Sequence, residues 1–442
     1  MTTHSPALIV VESPTKAKTL GQFLGKQYEV MACMGHVRAL PSKSGSVDIS
    51  RDFEPRYAVL PQSKKHLEKI EKALRHCGTV YLATDMDREG EAISWHLTVS
   101  LGLGNGAPPS RKGKPLLAGG AEGERYAREM CIWEDIRVVR EFACVSVAED
   151  IDFPLAKFTP LSDILKEAMG RGNHLGLVGK NDIPAPIFDK IRASVPGMEI
   201  KPADNILNEL RIIKTESEIA CLREAGRLAC LGYKDLMADC VPGNTELQAA
   251  GAAEGTARKA GAENITFMVM GTGSRTATVI GRPTNRIIKN GDMVMASFAV
   301  QYEGYVATAE FPFVAGKASG EQKKFLDALF AAANVQLKYL HDGVIAREMV
   351  RGVRDVFRKR KLDKYDIYPP MHGIGLAEAE LPYPDEKATY ELKAGMCVNS
   401  DISLFGHPAG SNRIEEGFVI TTKGVESLTP TIRELCEKAS GI

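Results

Sequence analysis

No stretch of this sequence approaches the roughly 18 consecutive apolar residues that a membrane-spanning helix requires, so no helical membrane segment is expected. Net charge is lacking too. The chain carries 56 Lys and Arg against 56 Asp and Glu, and nothing global draws it to nucleic acid or to an anionic membrane surface. The nine cysteines are scattered, with no CxxC and no Cys/His spacing of a zinc site. They read as reduced thiols in a cytoplasmic protein. Low-complexity tracts are missing, and a composition of 44% apolar and 25% charged residues is globular. The opening "MTTHSPALIVVESPTKAK" has no basic region ahead of its short apolar run. That run reads as a strand and not as a signal peptide. At 442 residues the chain exceeds one ordinary core and suits two or three domains.

What is present begins with alternation. "ALIVVES" is a short β-branched run, and "PTKAKTLGQFLGKQY" after it has helical spacing with Leu20, Phe23 and Leu24 on one face. "YEVMACMGHV" is a second strand candidate. "SKKHLEKIEKALRHC" carries a helical stripe of Leu67, Ile70 and Leu74. "TVYLATD" reads as a third, buried strand and "EGEAISWHLTVSLGLG" as a helix ending in glycines. Strands alternating with helices imply a parallel α/β sheet, whose ligands sit at the carboxyl ends of its strands. Glu12 ends the first strand, and Asp85 and Asp87 end the third. Three carboxylates meeting there repel one another unless a hard cation such as Mg²⁺ holds them.

Four ordered segments, "VVESPTKAKT", "MGHVRALP", "FEPRYAVLP" and "ATDMDREGEAISWHL", together resemble the Toprim domain of type IA topoisomerases over about residues 6–101. The resemblance makes Glu12 the acidic catalytic residue and Asp85, Asp87 and Glu89, with Glu12, the magnesium-binding cluster. It places Lys16, His36 and Arg38 where that family approaches the DNA backbone. A topoisomerase also needs a tyrosine nucleophile on a separate domain. None of the 12 tyrosines lies in that family's tyrosine motif, so no phosphotyrosyl donor is visible and strand passage is not expected.

"GLGNGAPPSRKGKP" is dense in Gly, Pro and Lys and reads as a linker. Strand–helix alternation resumes after it, including "NHLGLVG" and "IFDKIRASVPGMEI". In "KTESE", Thr215 and Glu218 form a capping box ahead of a helix striped by Ile219, Leu222 and Leu228. "GDMVMASFAVQYEGYVATAEFPFVAG" reads as two antiparallel strands turning at Glu303-Gly304. "GEQKKFLDALFAAANVQLKYL" reads as an amphipathic helix.

The segments "RIIKTESEIACLREAG", "GRPTNRIIKNGDMVM", "YEGY", "MHGIGLAEAELP", "LKAGMCVNSD" and "NRIEEGFVITTKG" resemble the pita-bread family of creatinase, prolidase and metal-dependent aminopeptidases. The fold class implied is an α/β Toprim domain plus an α+β pita-bread protein. Its divisions are a Toprim-like domain over 1–104, a linker over 105–115, a partial creatinase-like N-terminal domain over 116–205 and the pita-bread domain over 206–442. A sheet that has lost its first strands leaves an edge to be covered. Peptidases of this family bind two metal ions through two aspartates, a histidine and two glutamates. By motif position those fall on Ser297, Thr308, His372, Asp401 and Glu415. The family's two substrate-side histidines fall on Ile280 and Ala379, neither of which transfers a proton. A dinuclear centre is therefore not expected. A single divalent ion on His372, Asp401 and Glu415, with the Thr308 hydroxyl as a weak partner, is one arrangement the donors allow. Comparison with metal-free creatinase adds Glu310 as a substrate-binding group, and His407 is a second acid–base candidate beside His372.

Three readings follow. The first is a divergent creatinase- or Xaa-Pro-peptidase-like hydrolase of C–N bonds that acts on a peptide or small molecule and carries a Toprim module. The second is a Mg²⁺-dependent nucleic-acid-binding or topoisomerase-related protein. The near-balance of basic and acidic residues over 1–104 limits that binding to a weak one. The third is a non-catalytic pita-bread binding protein in a fused or chimeric chain. The resemblance also implies a homodimer.

Overall fold

The computed structural model describes residues 7–24, 28–39, 47–48, 54–55, 57–77, 79–84, 88–101, 115–142, 157–169 and 174–440. The chain divides into two units, residues 1–173 with 184–198, and residues 174–183 with 199–442.

In the first unit β1 (Ala7–Val11) is followed by α1 (Pro14–Phe23) and β2 (Tyr28–Ala32). Ser13 sets the start of α1: its hydroxyl accepts from the Lys16 amide, and Pro14 occupies the first helical position, where no amide hydrogen is needed. Short ladders β3 (Arg38–Ala39), β4 (Val47–Asp48), β5 (Glu54–Pro55) and β6 (Ala58–Val59) come next, β3 pairing with β6 and β4 with β5. Then follow α2 (Lys64–Leu74), β7 (Thr79–Leu82) and α3 (Arg88–Ser100). The main sheet has the order β2-β1-β7, all parallel, as the alternation predicts. Leu8, Val10, Leu67, Ile70, Ile93 and Leu97 close its core. The strand expected to be fully buried, β7, lies at an edge of this sheet and Tyr81 is half-exposed. No further strand pairs with it among the described residues.

Farther along the unit, β8 (Leu116–Gly119), α4 (Glu124–Met130) and β9 (Asp135–Val138) build a two-stranded parallel ladder, with α5 (Leu161–Met169) and α6 (Ala185–Ser194) beyond it. Of the expected linker only Pro115 is among the described residues.

The second unit opens with a parallel pair, β10 (His174–Leu177) and β11 (Glu199–Pro202), followed by α7 (Asp204–Ile212). Two capped helices come next, α8 (Glu216–Asp239) and α9 (Glu246–Lys259). The Thr215/Glu218 capping box has both reciprocal hydrogen bonds, and Thr245/Gln248 repeats it on α9. β12 (Asn264–Thr272), β13 (Asp292–Tyr302), β14 (Tyr305–Ala309) and β15 (Phe313–Ala315) make one antiparallel sheet. The turn between β13 and β14 is two residues, with Glu303 at φ 48° and Gly304 at φ 81°. Left-handed backbone at both positions is what a tight hairpin matched to strand twist requires. After α10 (Gly320–Leu337) and α11 (Ala346–Lys359), a second antiparallel sheet has the order β16 (Met371–Gly373), β17 (Cys397–His407), β18 (Gly410–Thr421), β19 (Gly424–Ser427), and α12 (Pro430–Ser440) follows it.

Helix α8 approaches β13 so closely that a Cβ at Gly232 would lie 2.5 Å from Phe298 and 2.7 Å from the Ala253 carbonyl. That contact, with Tyr233, Phe298, Phe325, Phe357 and Phe418 fully buried around it, fixes the strands on which the site below is carried.

Candidate functional site

Two places hold the residues singled out above, one in each unit. In the first, Glu12 directly follows β1, with its backbone tied by the Gly35 amide donating to its carbonyl at 2.8 Å. Glu12 Oε1 pairs with the Lys16 ammonium one helical turn later, while Oε2 is buried and has no hydrogen-bond partner. Arg38 is held by aromatics. Its guanidinium carbon lies 5.4 Å from the Tyr57 ring centre and 5.6 Å from that of Trp95, and Nη2 donates to the Tyr57 carbonyl at 3.4 Å. His96 is buried beside this group, 6.2 Å ring to ring from His36. Burial, then the charges of Arg38 and His36, hold its pKa below the ordinary histidine value. Asp85 and Asp87 lie outside the described residues, as does the side chain of Glu89, whose backbone is in the first turn of α3. The orphaned carboxylate oxygen of Glu12 and the all-oxygen donor chemistry fit a hard divalent cation.

In the second unit the register assembles the cluster. Asp401 on β17 faces Glu415 on β18, and Glu310, just past β14, bridges Glu415 through paired backbone hydrogen bonds of 3.1 and 3.2 Å. Alternation along β18 places Arg413 and Glu415 on one face and Ile414 and Glu416 on the other. Arg413 is therefore directed into the carboxylates. Its Nε donates to Glu310 Oε2 at 2.5 Å and lies 3.1 Å from Glu415 Oε1, with the side chain only 8% exposed. Ser297 donates to Glu415 Oε2 at 2.8 Å. Thr308 donates to Glu378 Oε1 at 3.2 Å, and the same oxygen is 3.6 Å from His372 Nε2. His372 Nδ1 lies 3.0 Å from the Gly373 carbonyl. A carbonyl only accepts, so Nδ1 carries the hydrogen and Nε2 is left facing Glu378.

A cavity of about 390 Å³ opens onto these groups, lined by His372, Glu378, Asp401, Arg413 and Glu415 on its polar side. Ile280 and Ala379, the positions where the resemblance expects histidines, both line its wall. His407 does not. It stacks on Phe325 at the end of β17, six residues beyond Asp401, and lines a different cavity.

Burial dominates the proton affinities. It raises Glu310 to about 8 against the opposing pull of Arg413, Glu378 to about 7 with Glu415 adding, and Asp401 to about 6. Burial disfavours the Arg413 charge, but Glu310, Glu415 and Asp401 outweigh it and hold its pKa well above the ordinary value. Glu310 Oε1 and Asp401 Oδ1 are buried without partners.

The arrangement is a poor fit to a divalent ion. Hydroxyls stand at two of the ligand positions, and a fixed guanidinium occupies the cluster. At about 4 Å its repulsion of a doubly charged ion is on the order of 8 kcal/mol at an effective dielectric near 20. Nor do His372, Asp401 and Glu415 bring their ligand atoms together. Among the described residues the trio that converges within 4.8 Å is Glu29, His76 and Cys77. Sequence reasoning missed Arg413 and Glu378. The first was legible, since an arginine two residues before Glu415 in a strand must share its face. The second sits in an irregular segment whose path no periodicity foretells.

Comparison with known proteins agrees with both halves. Residues 7–111 match the Toprim domain and residues 220–422 match metallopeptidase family M24. DNA topoisomerase 1 of Xylella fastidiosa (strain Temecula1) is 52% identical over 91 residues, 21% of this chain and 11% of that protein. The chain thus spans about a tenth of the topoisomerase that it matches. The Xaa-Pro dipeptidase of Pyrococcus horikoshii is 25% identical over 288 residues, covering 65% of this chain and 81% of that protein. Among solved structures, prolidase from Pyrococcus furiosus superposes with a TM-score of 0.61 at 22% identity, over 71% of this chain and 86% of that one.

Proposed function

We propose, for a chain that joins a Toprim domain to a metallopeptidase family M24 domain of prolidase-like fold, that the M24 half is a C–N bond hydrolase that works without a dinuclear metal centre. The observation that carries this is Arg413, a buried guanidinium paired to Glu310 and 3.1 Å from Glu415. A covalently attached cation supplies the charge compensation that metal ions supply in a carboxylate pocket. His372 Nε2, a free acceptor, serves as general base toward a water or substrate proton. Glu378, raised to about 7, holds a proton that it can pass to a leaving amine near neutral pH. The two are 3.6 Å apart, a gap that one ligand atom can bridge. Asp401, which lines the cavity, presents an unpartnered oxygen that suits a cationic or amide group of a peptide or small-molecule substrate.

The test is hydrolysis of Xaa-Pro dipeptides and of creatine-like guanidino acids by chelator-treated protein. Activity should survive chelation, disappear in His372→Ala, and in Glu378→Gln lose the limb of its pH profile near 7. Activity that vanishes on chelation and returns with Mn²⁺ or Zn²⁺ sinks the reading.

A second reading is favoured by the buried, unpartnered Glu12 Oε2. Glu12 with Asp85, Asp87 and Glu89 would hold Mg²⁺, which supplies electrostatic stabilisation at a phosphodiester. Lys16, His36 and the aromatic-clamped Arg38 would face the backbone of a weakly bound nucleic acid. Single-stranded DNA binding at low salt that fades as salt rises tests this. We place the domains at 1–104, 116–205 and 206–442 around a linker at 105–115. None of the eight described cysteines is in a disulfide, which suits a cytoplasmic protein, and no described helix is long and apolar enough to cross a membrane. A homodimer is proposed from the family resemblance.

A further inference from the structure

The geometry points to a mononuclear zinc-type site formed by Glu29, His76 and Cys77 at the amino end of the N-terminal parallel sheet. Glu29 is the second residue of the edge strand β2, and His76 and Cys77 lie between α2 and β7. β2 and β7 flank β1 on opposite sides and run parallel to it. The trio therefore spans the start of the sheet, at the opposite end of β1 from Glu12, and draws on none of the Toprim acidic residues. The 47 residues separating Glu29 from His76 explain why no ligand spacing is visible in the sequence.

The donors have already converged. His76 Nε2 is 3.0 Å from Glu29 Oε2, Cys77 Sγ is 4.0 Å from the same oxygen, and all three ligand atoms lie within 4.8 Å of one another. Around tetrahedral zinc, bonds of about 2.0 Å to nitrogen and oxygen and about 2.3 Å to sulfur set neighbouring donors roughly 3.3–3.7 Å apart. The separations of 3.0 and 4.0 Å to Glu29 bracket that range, so only small movements of the donors would be needed for coordination. One thiolate, one imidazole and one carboxylate suit Zn²⁺ and its spectroscopic substitute Co²⁺, and are wrong for Mg²⁺ or Ca²⁺, which take oxygen donors. His76 and Glu29 are partly exposed, which gives the ion an entry path and leaves the fourth position to water. On binding, the S–H proton of Cys77 passes to solvent as the metal–sulfur bond forms. The ion then clips β2 to the segment entering β7.

Titration of the reduced, chelator-treated full chain with Co²⁺ tests the proposal. The expected result is a thiolate-to-cobalt charge-transfer band that saturates at one ion per chain and is displaced by Zn²⁺. Cys77→Ser should abolish the band. Glu29→Gln and His76→Ala, which leave the thiol in place, should each weaken Co²⁺ binding by more than the roughly 10–100-fold lost with an outer-shell partner. Circular dichroism of each variant checks that it folds. Absence of the band, its survival in Cys77→Ser, or indifference to Glu29→Gln and His76→Ala would overturn the assignment.

Discussion

At the end of β1, Glu12 shares one oxygen with a partly exposed lysine and keeps the other buried and unpartnered, whereas in the C-terminal cavity a buried arginine reaches two carboxylates at once. Glu12 stands just past the end of its strand, while Glu310, Asp401 and Glu415 meet across paired strands, and each place must compensate its negative charge. On the reading proposed above, the first would leave a coordination position for a cation from outside. The second has built the cation into the chain. Counting ligand residues along a sequence registers only the carboxylates, so it gives no signal for a counter-charge such as Arg413.

The largest expected effect breaks this comparison most directly. Arg413→Met leaves Glu310 and Glu415 buried without a counter-charge, and breaking a buried pair this way costs about 3–5 kcal/mol. Denaturant unfolding at pH 8 should show that loss, shrinking as the pH falls and the carboxyls take up protons. The variant should also bind Mn²⁺ or Zn²⁺ where the parent does not. A variant as stable as the parent at pH 8 would mean that Arg413 is not the counter-charge.

Next in size is Glu416, on the opposite face of β18. Burial raises it from the ordinary 4.5 to about 7 although Arg433 lies 3.1 Å away. A carboxyl whose folded pKa lies above its unfolded value stabilises the folded chain fully below the unfolded pKa. That contribution is lost as pH rises through the folded one. At about 1.4 kcal/mol per pH unit the loss between pH 4.5 and 7 is about 3 kcal/mol. Glu416→Gln, which cannot ionise, should therefore melt higher than the parent above pH 7 and the same near pH 4. Equal pH dependence in both would show that ion pairing, and not desolvation, governs buried carboxylates in this unit.

How much of this was legible follows from the range of the forces involved. The strand–helix alternation of β1, α1, β2 and α2 rests on periodicity within a dozen residues, and so do the Thr215/Glu218 box and the Glu303-Gly304 turn. All were readable. Glu415 and Asp401 could be placed by motif. The meeting of Arg413 with Glu310, 103 residues apart, depends on the pairing of β18 with the end of β14, which no local pattern encodes. The place of β7 at an edge of the described sheet likewise depends on strand order, which no local pattern encodes. A smaller test sharpens the point: Thr215→Ala removes one side of a capping box and should cost about 1 kcal/mol, measured by thermal unfolding. A locally encoded device should fail by a local amount, without the pH dependence of the cavity variants.

The smallest expected effect belongs to Glu12. Its pair with Lys16 joins side chains 15% and 41% exposed, and pairs this open to water contribute from nothing to about 1 kcal/mol. Glu12→Gln should thus leave the cation-free melting temperature almost unchanged, in contrast to Arg413→Met. Mg²⁺ should separate the two sites further. If the orphaned oxygen is a ligand, adding Mg²⁺ raises the melting temperature of the parent by mass action and leaves Glu12→Gln unmoved, while Arg413→Met keeps the same Mg²⁺ response on its lower baseline. A Mg²⁺ shift that persists in Glu12→Gln would place the ion elsewhere and remove the contrast between a cation taken from solution and one carried by the chain.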